Sequence, residues 1–153
     1  MKIRPALESE VVLLTSMSKA AFDSDTLVGA PGPGGPPEYD NAAWHEQMRR
    51  EGHLYAIVDG DRPVGGLLPF FDKGVLYLGR IFIAPDKLRM GYGEAGMLFA
   101  ETLYPGAKSV CLDTPIWNTR TNGFYQKLGY REARRDEHFI YYEKMLPGGT
   151  QSR

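Results

Sequence analysis

Two glycines after an apolar run could build a site for a phosphate group. Residues 81–84 are followed by a basic loop with Lys87 and Arg89, and then by Gly91-Tyr92-Gly93 at the start of a helical pattern. Glycine lets a backbone approach a ligand closely, and free N–H groups at a helix start attract anions. Glycines would also be expected if this segment were only a tight connection between a strand and a helix. The segment matches neither the dinucleotide fingerprint nor the P-loop, because it lacks a third glycine in register and a Gly-Lys-Ser/Thr.

A second polar pair lies further along, where Asn118 is followed seven residues later by Tyr125. Asn118 precedes a helical pattern and could cap that helix, which is worth about 1 kcal/mol. Tyr125 shares a helix face with Thr121 and Leu128, so it could be a core residue. Their positions alone do not show whether Asn118 and Tyr125 belong to a functional site or only stabilise the fold.

The amino-terminal part predicts two helices separated by a long loop. A short strand around Ile3 opens the chain, and apolar residues at helical spacing, beginning with Leu7, predict a helix over residues 7–22. Residues 23–37 contain Gly-Ala-Pro-Gly-Pro-Gly-Gly-Pro-Pro and predict a loop. The second helix is expected from residue 40 or 41 to residue 50, with Gly52 ending it.

The rest of the chain predicts strands around one β-α-β crossover. A turn at residues 59–61 favours a hairpin, and helices are expected after Gly91 and before Gly129. Because a β-α-β crossover makes the joined strands parallel, residues 1–146 are expected to form one mixed α/β domain, with a flexible tail over residues 147–153. Strands are expected over residues 53–58, 64–71, 75–84, 109–114, 130–134 and 139–145.

The composition is that of an ordinary globular domain. The chain has 153 residues, of which 42% are hydrophobic and 24% charged. Its net charge of −1 gives a nucleic-acid partner no electrostatic support. The lone Cys111 fits a reducing compartment, and the apolar run at residues 11–14 is too short for a signal peptide or a membrane span. We expect a cytoplasmic protein without membrane association, in which Cys111 and Trp117 are packing residues.

The second segment resembles the GNAT superfamily of N-acetyltransferases. These enzymes carry an Asn that opens a helix and a Tyr seven residues later, in a phrase like Phe-Tyr-Glu-Lys-Leu-Gly-Phe. Here Asn118 and Tyr125 have that spacing, residues 124–130 read Phe-Tyr-Gln-Lys-Leu-Gly-Tyr, and the glycine turn lies upstream in the expected order. The likeness covers about residues 55–146. It implies a mixed, mostly antiparallel sheet of about seven strands with a splayed parallel pair, flanked by about four helices.

The resemblance implies transfer of an acetyl group from acetyl-CoA to a primary amine by direct attack, without a metal. Amides of the glycine turn would hold the CoA pyrophosphate, and the strand ending at Phe82-Ile83 would pair with the pantetheine arm and polarise the acetyl carbonyl. Asn118 would bind pantetheine or a water, and the Tyr125 hydroxyl would protonate the departing sulfur. The expected cofactor contacts are Phe82, Ile83, Leu88, Arg89, Met90, Gly91, Tyr92, Gly93, Glu94, Asn118 and Tyr125.

Two positions depart from the family pattern. Leu88 stands where members usually have Gln or Arg, and Arg89 could substitute. Many members place an acid in the strand before the glycine turn, but residues 75–84 contain no Asp or Glu, and the aligned region reads Leu78-Gly79-Arg80. The general base is therefore unassigned, and a water chain would serve. The candidate side chains are Asp113, Glu38, Asp40, His45 and His53.

In this family the variable part binds the acceptor, which points to residues 23–40 here. Four acids and no bases in this segment favour a cationic acceptor, with Glu38 and Asp40 as predicted substrate contacts. Tyr39 and Trp44 could add aromatic faces for the cation. The alternative is a solvated mobile loop, with the acceptor along residues 134–138. The four acids are Asp23, Asp25, Glu38 and Asp40.

Three functions are compatible with the sequence. The main hypothesis is an enzyme that acetylates a small-molecule or peptide amine, with no nucleic-acid partner. The missing strand acid gives weight to a sensor that binds acyl-CoA without turnover. A structural domain with a relic fold is the third. The sequence is also compatible with a homodimer.

Overall fold

The computed structural model describes residues 1–147, so the predicted tail lies outside the described residues except for Pro147. Seven strands form one sheet: β1 (Lys2–Pro5), β2 (Tyr55–Asp59), β3 (Arg62–Asp72), β4 (Val75–Ile83), β5 (Ser109–Pro115), β6 (Arg131–Arg135) and β7 (Phe139–Met145). Four α-helices flank it within this range: α1 (Val11–Asp23), α2 (Ala42–Arg50), α3 (Tyr92–Leu103) and α4 (Thr119–Lys127). None of these helices is long and apolar enough to cross a membrane.

The strand order is β1-β2-β3-β4-β5-β7-β6. Only β4 and β5 run parallel, and the other neighbours are antiparallel. The predicted mixed, mostly antiparallel sheet of seven strands and four helices is therefore confirmed. Both outer strands are charged, and every residue of the edge strand β6 is exposed.

The sheet separates two apolar clusters, because successive strand residues point to opposite faces. On one face, β-strand side chains pack with α1 and α2; this cluster includes Val11, Leu14, Met48, Val58, Leu68 and Phe82. On the other face they pack with α3 and α4; that cluster includes Ile57, Leu67, Leu76, Met97, Val110 and Tyr125. Each helix pair is thereby fixed to its own face of the sheet.

The first helix begins later than the sequence predicts. A 3-10 turn occupies Glu8–Glu10, and α1 starts at Val11. The Glu10 carboxylate accepts hydrogen bonds from the Leu7 backbone N–H at 2.9 Å and from two guanidinium nitrogens of Arg4 at 2.8 Å each. These bonds hold the tight turn. Leu7 is 52% exposed, so its predicted place on the buried helix face is wrong.

The segment predicted as a loop over residues 23–37 also contains regular structure. A 3-10 turn covers Ser24–Val28 and ends at Gly29, which has a φ of 117°. A Cβ at Gly29 would lie 2.6 Å from the carbonyl oxygen of Trp117. Only glycine fits this left-handed, crowded position, and it brings the loop against the start of α4.

The parallel pair separates after three residue pairs. The β4–β5 register runs from Val75 opposite Ser109 to Tyr77 opposite Cys111, and no further pair follows. On its other edge, β4 carries one extra residue, Gly79, because Leu68 lies opposite Arg80 while Pro69 lies opposite Leu78. Such a bulge bends a strand. The predicted splayed pair is confirmed, and the gap opens beside the bulge.

Candidate functional site

A cavity of about 870 Å³ occupies the gap between β4 and β5. Its walls come from the bulged part of β4, the end of β5, the start of α4, the glycine- and proline-rich loop and the β6–β7 turn. A volume of this size suits a small molecule. The lining includes Asp25, residues 30–37, Leu78, Gly79, Arg80, Ile81, Asp113, Trp117, Asn118, Thr121, Tyr125, Glu137 and His138.

The glycine turn forms the start of α3, as predicted. Arg89 and Gly91 have positive φ angles of 64° and 86°, and the first helical hydrogen bond runs from the Ala95 N–H to the Gly91 carbonyl at 3.1 Å. The amides of residues 92–94 therefore have no acceptor within the helix. The Tyr92 side chain is buried, and its hydroxyl donates to Asp59. The turn is open to an anion, because the neighbouring residues are exposed or half-buried: Met90, Gly91, Gly93 and Glu94.

The other predicted cofactor contacts divide into buried and exposed side chains. Phe82 and Ile83 are buried, one in each apolar cluster, and neither of them lines the cavity. Leu88 is half-buried against the core, and Arg89 and Met90 are exposed. Glu94 is also exposed, on the first turn of α3. At this end of the site, a ligand would therefore contact backbone groups more than side chains.

Tyr125 is a core residue that also borders the cavity. Its ring is only 6% exposed and packs at 5.9 Å from the Tyr130 ring and 6.0 Å from the Tyr142 ring. It nevertheless lines the cavity, and within residues 1–147 its hydroxyl makes no hydrogen bond. Burial raises the pKa of this phenol, and the nearby charge of Asp113 raises it further. Tyr125 is therefore a neutral hydrogen-bond donor at the cavity wall.

Asn118 connects α4 to the loop on the opposite wall. Its Oδ1 accepts a hydrogen bond from the Thr121 N–H at 3.0 Å, which caps the helix. Its Nδ2 donates to Asp25 at 3.3 Å, and Asp25 also accepts from Arg120 at 2.8 Å. Burial raises the pKa of Asp25, and the Arg120 guanidinium opposes that shift. Both polar atoms of the Asn118 side chain thus already have partners.

Of the five candidate bases, only Asp113 lines the cavity. Its side chain extends from the β5 face opposite Leu112, which belongs to the α3 and α4 cluster. Desolvation raises the pKa of Asp113, as does the negative charge of Asp136, while Arg134 lowers it. A carboxylate with a raised pKa is a stronger base.

The other four candidates lie away from the cavity lining. His45 is fully buried, and its Nδ1 is 2.9 Å from the Asn41 carbonyl; burial lowers its pKa. His53 lies 3.2 Å from the Pro69 carbonyl. Glu38 and Asp40, the predicted substrate contacts, are exposed, and Glu38 accepts a hydrogen bond from Asn41.

Sequence reasoning missed three side chains on the cavity wall. Arg80 lies in the strand in which the resemblance leads one to expect an acid, and its guanidinium carbon is 4.3 Å from the centre of the Trp44 ring. Trp117 is 36% exposed and lines the cavity, so its prediction as a packing residue is wrong. His138 reaches the cavity from the β6–β7 turn. Of these three side chains, His138 alone could have been found from the sequence, because it belongs to the alternative acceptor region at residues 134–138.

Comparisons with known proteins agree with this fold. The model of the acetyltransferase (GNAT) family matches residues 19–130, more than half of the chain. Peptidyl-lysine N-acetyltransferase YjaB of Salmonella typhimurium is 33% identical over 82 residues, which are 54% of this chain and 52% of YjaB. The chain therefore spans about half the length of this curated relative.

Solved structures extend the likeness to nearly the whole chain. The PaiA N-acetyltransferase of Thermoplasma acidophilum, in complex with coenzyme A, has a TM-score of 0.76 at 15% identity, covering 95% of this chain and 98% of its own. An acetyltransferase of Thermus thermophilus has a TM-score of 0.76 at 16% identity, covering 95% and 96%. At these identities the likeness concerns the fold.

The Asn118 contacts generate a stability prediction. Asn118→Ala removes the helix cap and leaves the buried Asp25 with one partner fewer, so the free energy of unfolding should fall by about 2–3 kcal/mol. Asn41→Ala is the matched control, because Asn41 caps α2 at an exposed position and should cost about 1 kcal/mol. Urea unfolding followed by circular dichroism measures both. Equal losses would show that the bond to Asp25 contributes nothing.

Proposed function

Because the chain belongs to the acetyltransferase (GNAT) family, we propose that it transfers an acetyl group from acetyl-CoA to a primary amine. The observation that carries this proposal is the Tyr125 hydroxyl, which lies on the cavity between the separated strands without a hydrogen-bond partner among residues 1–147. A neutral phenol held there is suited to donate to a departing thiolate.

The donor would bind along the gap. The amides of residues 92–94 and the positive end of α3 suit the CoA pyrophosphate. The pantetheine arm contains amides, and among residues 1–147 the backbone edge of β4 beyond Tyr77 has no strand partner on that side. Hydrogen bonds from this edge would align the arm and place the thioester near the bulge at Gly79.

In the reaction, the neutral amine attacks the thioester carbonyl carbon, and a C–N bond forms. The tetrahedral intermediate collapses by breaking the C–S bond; the Tyr125 hydroxyl donates a hydrogen bond to the departing thiolate, which takes up a proton from solvent. The amine nitrogen loses a proton to the base. The products are an N-acetylated amine and the free CoA thiol. Backbone N–H groups of β4 beside the Gly79 bulge would stabilise the oxyanion.

We assign the general base to Asp113, directly or through a water. It lies across the gap from the bulge on the cavity wall, and its raised pKa favours proton uptake. His138, which also lines the cavity, is the second candidate.

An acyl-CoA sensor is the alternative function, because β4 lacks the acid that many family members carry in this strand. A thiol-release assay with acetyl-CoA against a panel of amines separates the two. Release of CoA with an amine supports the enzyme; binding of acetyl-CoA without release for any amine supports the sensor.

Tyr125→Phe keeps the packed ring and removes the hydrogen-bond donor. We expect thiol release to fall about 10- to 1000-fold, which is typical of one general acid, with CoA affinity by calorimetry nearly unchanged. Tyr130→Phe is the matched control, since the Tyr130 hydroxyl donates to Glu101 at 2.9 Å and should affect stability alone. A lower melting temperature with full turnover in Tyr125→Phe would assign Tyr125 to the core only.

Gly93→Asp tests the anion site at the start of α3. A carboxylate there would repel the pyrophosphate, so a micromolar affinity for acetyl-CoA, about 8 kcal/mol, should be abolished in calorimetry. The Cβ itself would lie 3.4 Å from the Phe124 ring, an ordinary contact, so the fold should survive. Gly123→Asp adds the same charge to an exposed part of α4 and should bind normally. Normal binding by a folded Gly93→Asp would refute the site.

Asp113→Asn tests the assigned base through the pH profile. A carboxylate accepts a proton only when it is ionised, so kcat/KM should fall as the pH drops through the raised pKa of Asp113. The asparagine variant should be about 100-fold slower and lack this acid limb. Glu137→Gln removes another carboxylate from the cavity wall and should retain the limb. An unchanged limb in Asp113→Asn would exclude Asp113 as the base.

A further inference from the structure

Arg80 is a cation on the wall of a cavity that otherwise carries acids. Among the lining residues within 1–147, it is the one arginine or lysine. It follows the Gly79 bulge, and its side chain extends from β4 toward α2, where the guanidinium stacks on Trp44. An arginine stays charged even where burial opposes it.

The guanidinium of Arg80 forms no ion pair in the described part of the chain; burial lowers its pKa, and the nearby charge of Glu38 opposes that shift without a direct contact. No carboxylate oxygen of residues 1–147 lies within 4.0 Å of its nitrogens. Its Nη2 donates to the Pro37 carbonyl, and its Nη1 is buried without any hydrogen-bond partner. A guanidinium has five N–H donors, and burying an unpaired charge is costly. An anion bound in the cavity would offset that cost.

Two of the four acids of the neighbouring loop are already paired with cations, while Glu38 and Asp40 are exposed. Asp23 accepts hydrogen bonds from Lys19 at 2.6 Å and from Tyr39 at 2.7 Å, and Asp25 forms an ion pair with Arg120 at 2.8 Å. These contacts weaken the argument for a cationic acceptor that the four acids suggested. The unpaired charge that faces the cavity from β4 is positive.

We propose that the acceptor carries a carboxylate beside its amine, and that Arg80 binds this carboxylate. The inference rests on the proposed acetyl transfer. Arg80 and Asp113 lie on opposite sides of the gap and on the same face of the sheet. A molecule of the amino-acid type would direct its carboxylate toward Arg80 and its amine toward Asp113. Arg80 is thus a specificity-determining residue, and the substrate class is amino acids or similar small zwitterions.

The test compares amino acids with their amides, which keep the amine and lose the carboxylate. Thiol release is measured for each pair with the unmodified protein and with Arg80→Gln, Arg80→Lys and Arg62→Gln. Arg62 is an exposed arginine at the start of β3, away from the cavity, and serves as the control. Calorimetry with N-acetyl amino acids and N-acetyl amino-acid amides, in the presence of CoA, gives a readout that needs no turnover.

We expect kcat/KM to be at least about tenfold higher for the best amino acid than for its amide, as for one charge-assisted contact. Arg80→Gln should lower kcat/KM for the acid about 10- to 100-fold and leave the amide unchanged. For the acid, kcat/KM of Arg80→Lys should lie between those of the unmodified protein and Arg80→Gln, because an ammonium cannot bind a carboxylate in bidentate fashion. Equal rates for acid and amide in the unmodified protein would overturn the inference, as would an equal loss for both in Arg80→Gln.

Failure of acetyl transfer itself is distinguishable. If acetyl-CoA binds and no amine is acetylated, the proposed function is wrong, and calorimetry alone decides the role of Arg80. Preferential binding of the N-acetyl acid that disappears in Arg80→Gln would then support carboxylate recognition. Equal binding of the N-acetyl acid and the N-acetyl amide, or no binding of either, would overturn carboxylate recognition by Arg80.

Discussion

The loss of pairing between β4 and β5 is the constraint on which the site depends. Buried backbone N–H and C=O groups need partners, and β4 beyond Tyr77 has none from β5. The bulge at Gly79 turns the strand away, so the two strands cannot close the gap. A Cβ at Gly79 would lie 2.9 Å from the Phe70 ring and 3.2 Å from the Leu68 carbonyl oxygen, which leaves little choice of residue. The gap gathers Tyr125, Asp113 and Arg80 from three separate elements.

The Asn118–Tyr125 spacing has a physical reason. Residues seven apart lie on one face of a helix, two turns from each other. Asn118 fixes where α4 begins, and that start determines where Tyr125 meets the cavity. Because Asn118 also donates a hydrogen bond to Asp25, the helix that carries Tyr125 and the loop that lines the cavity are held together at one buried contact.

Local pattern was enough to predict the four helices, most of the strands and the glycine turn, whereas the splayed pair was predicted from the family resemblance. Predictions that depended on distant contacts were less complete. Asp25 and Arg120 are 95 positions apart, and nothing local shows that their charges cancel. The local pattern also does not show that Trp117 lines the cavity. It does not show that hydrogen bonds between Arg4 and Glu10 stabilise a 3-10 turn before α1. The sequence did not indicate the role that we propose for Arg80, because that role depends on a cavity formed by other elements.

The exposed edge strand β6 bears on self-association. All five of its residues are exposed, and it carries Arg131, Arg134 and Arg135 together with Glu132, which pairs with Arg135 at 2.6 Å. Charged edge strands resist strand addition from another chain. The opposite edge, β1, bears Lys2, Arg4 and a proline without an N–H at Pro5. The sheet is therefore protected at both ends against edge-to-edge aggregation, and a second copy of the chain would have to dock through helices or loops.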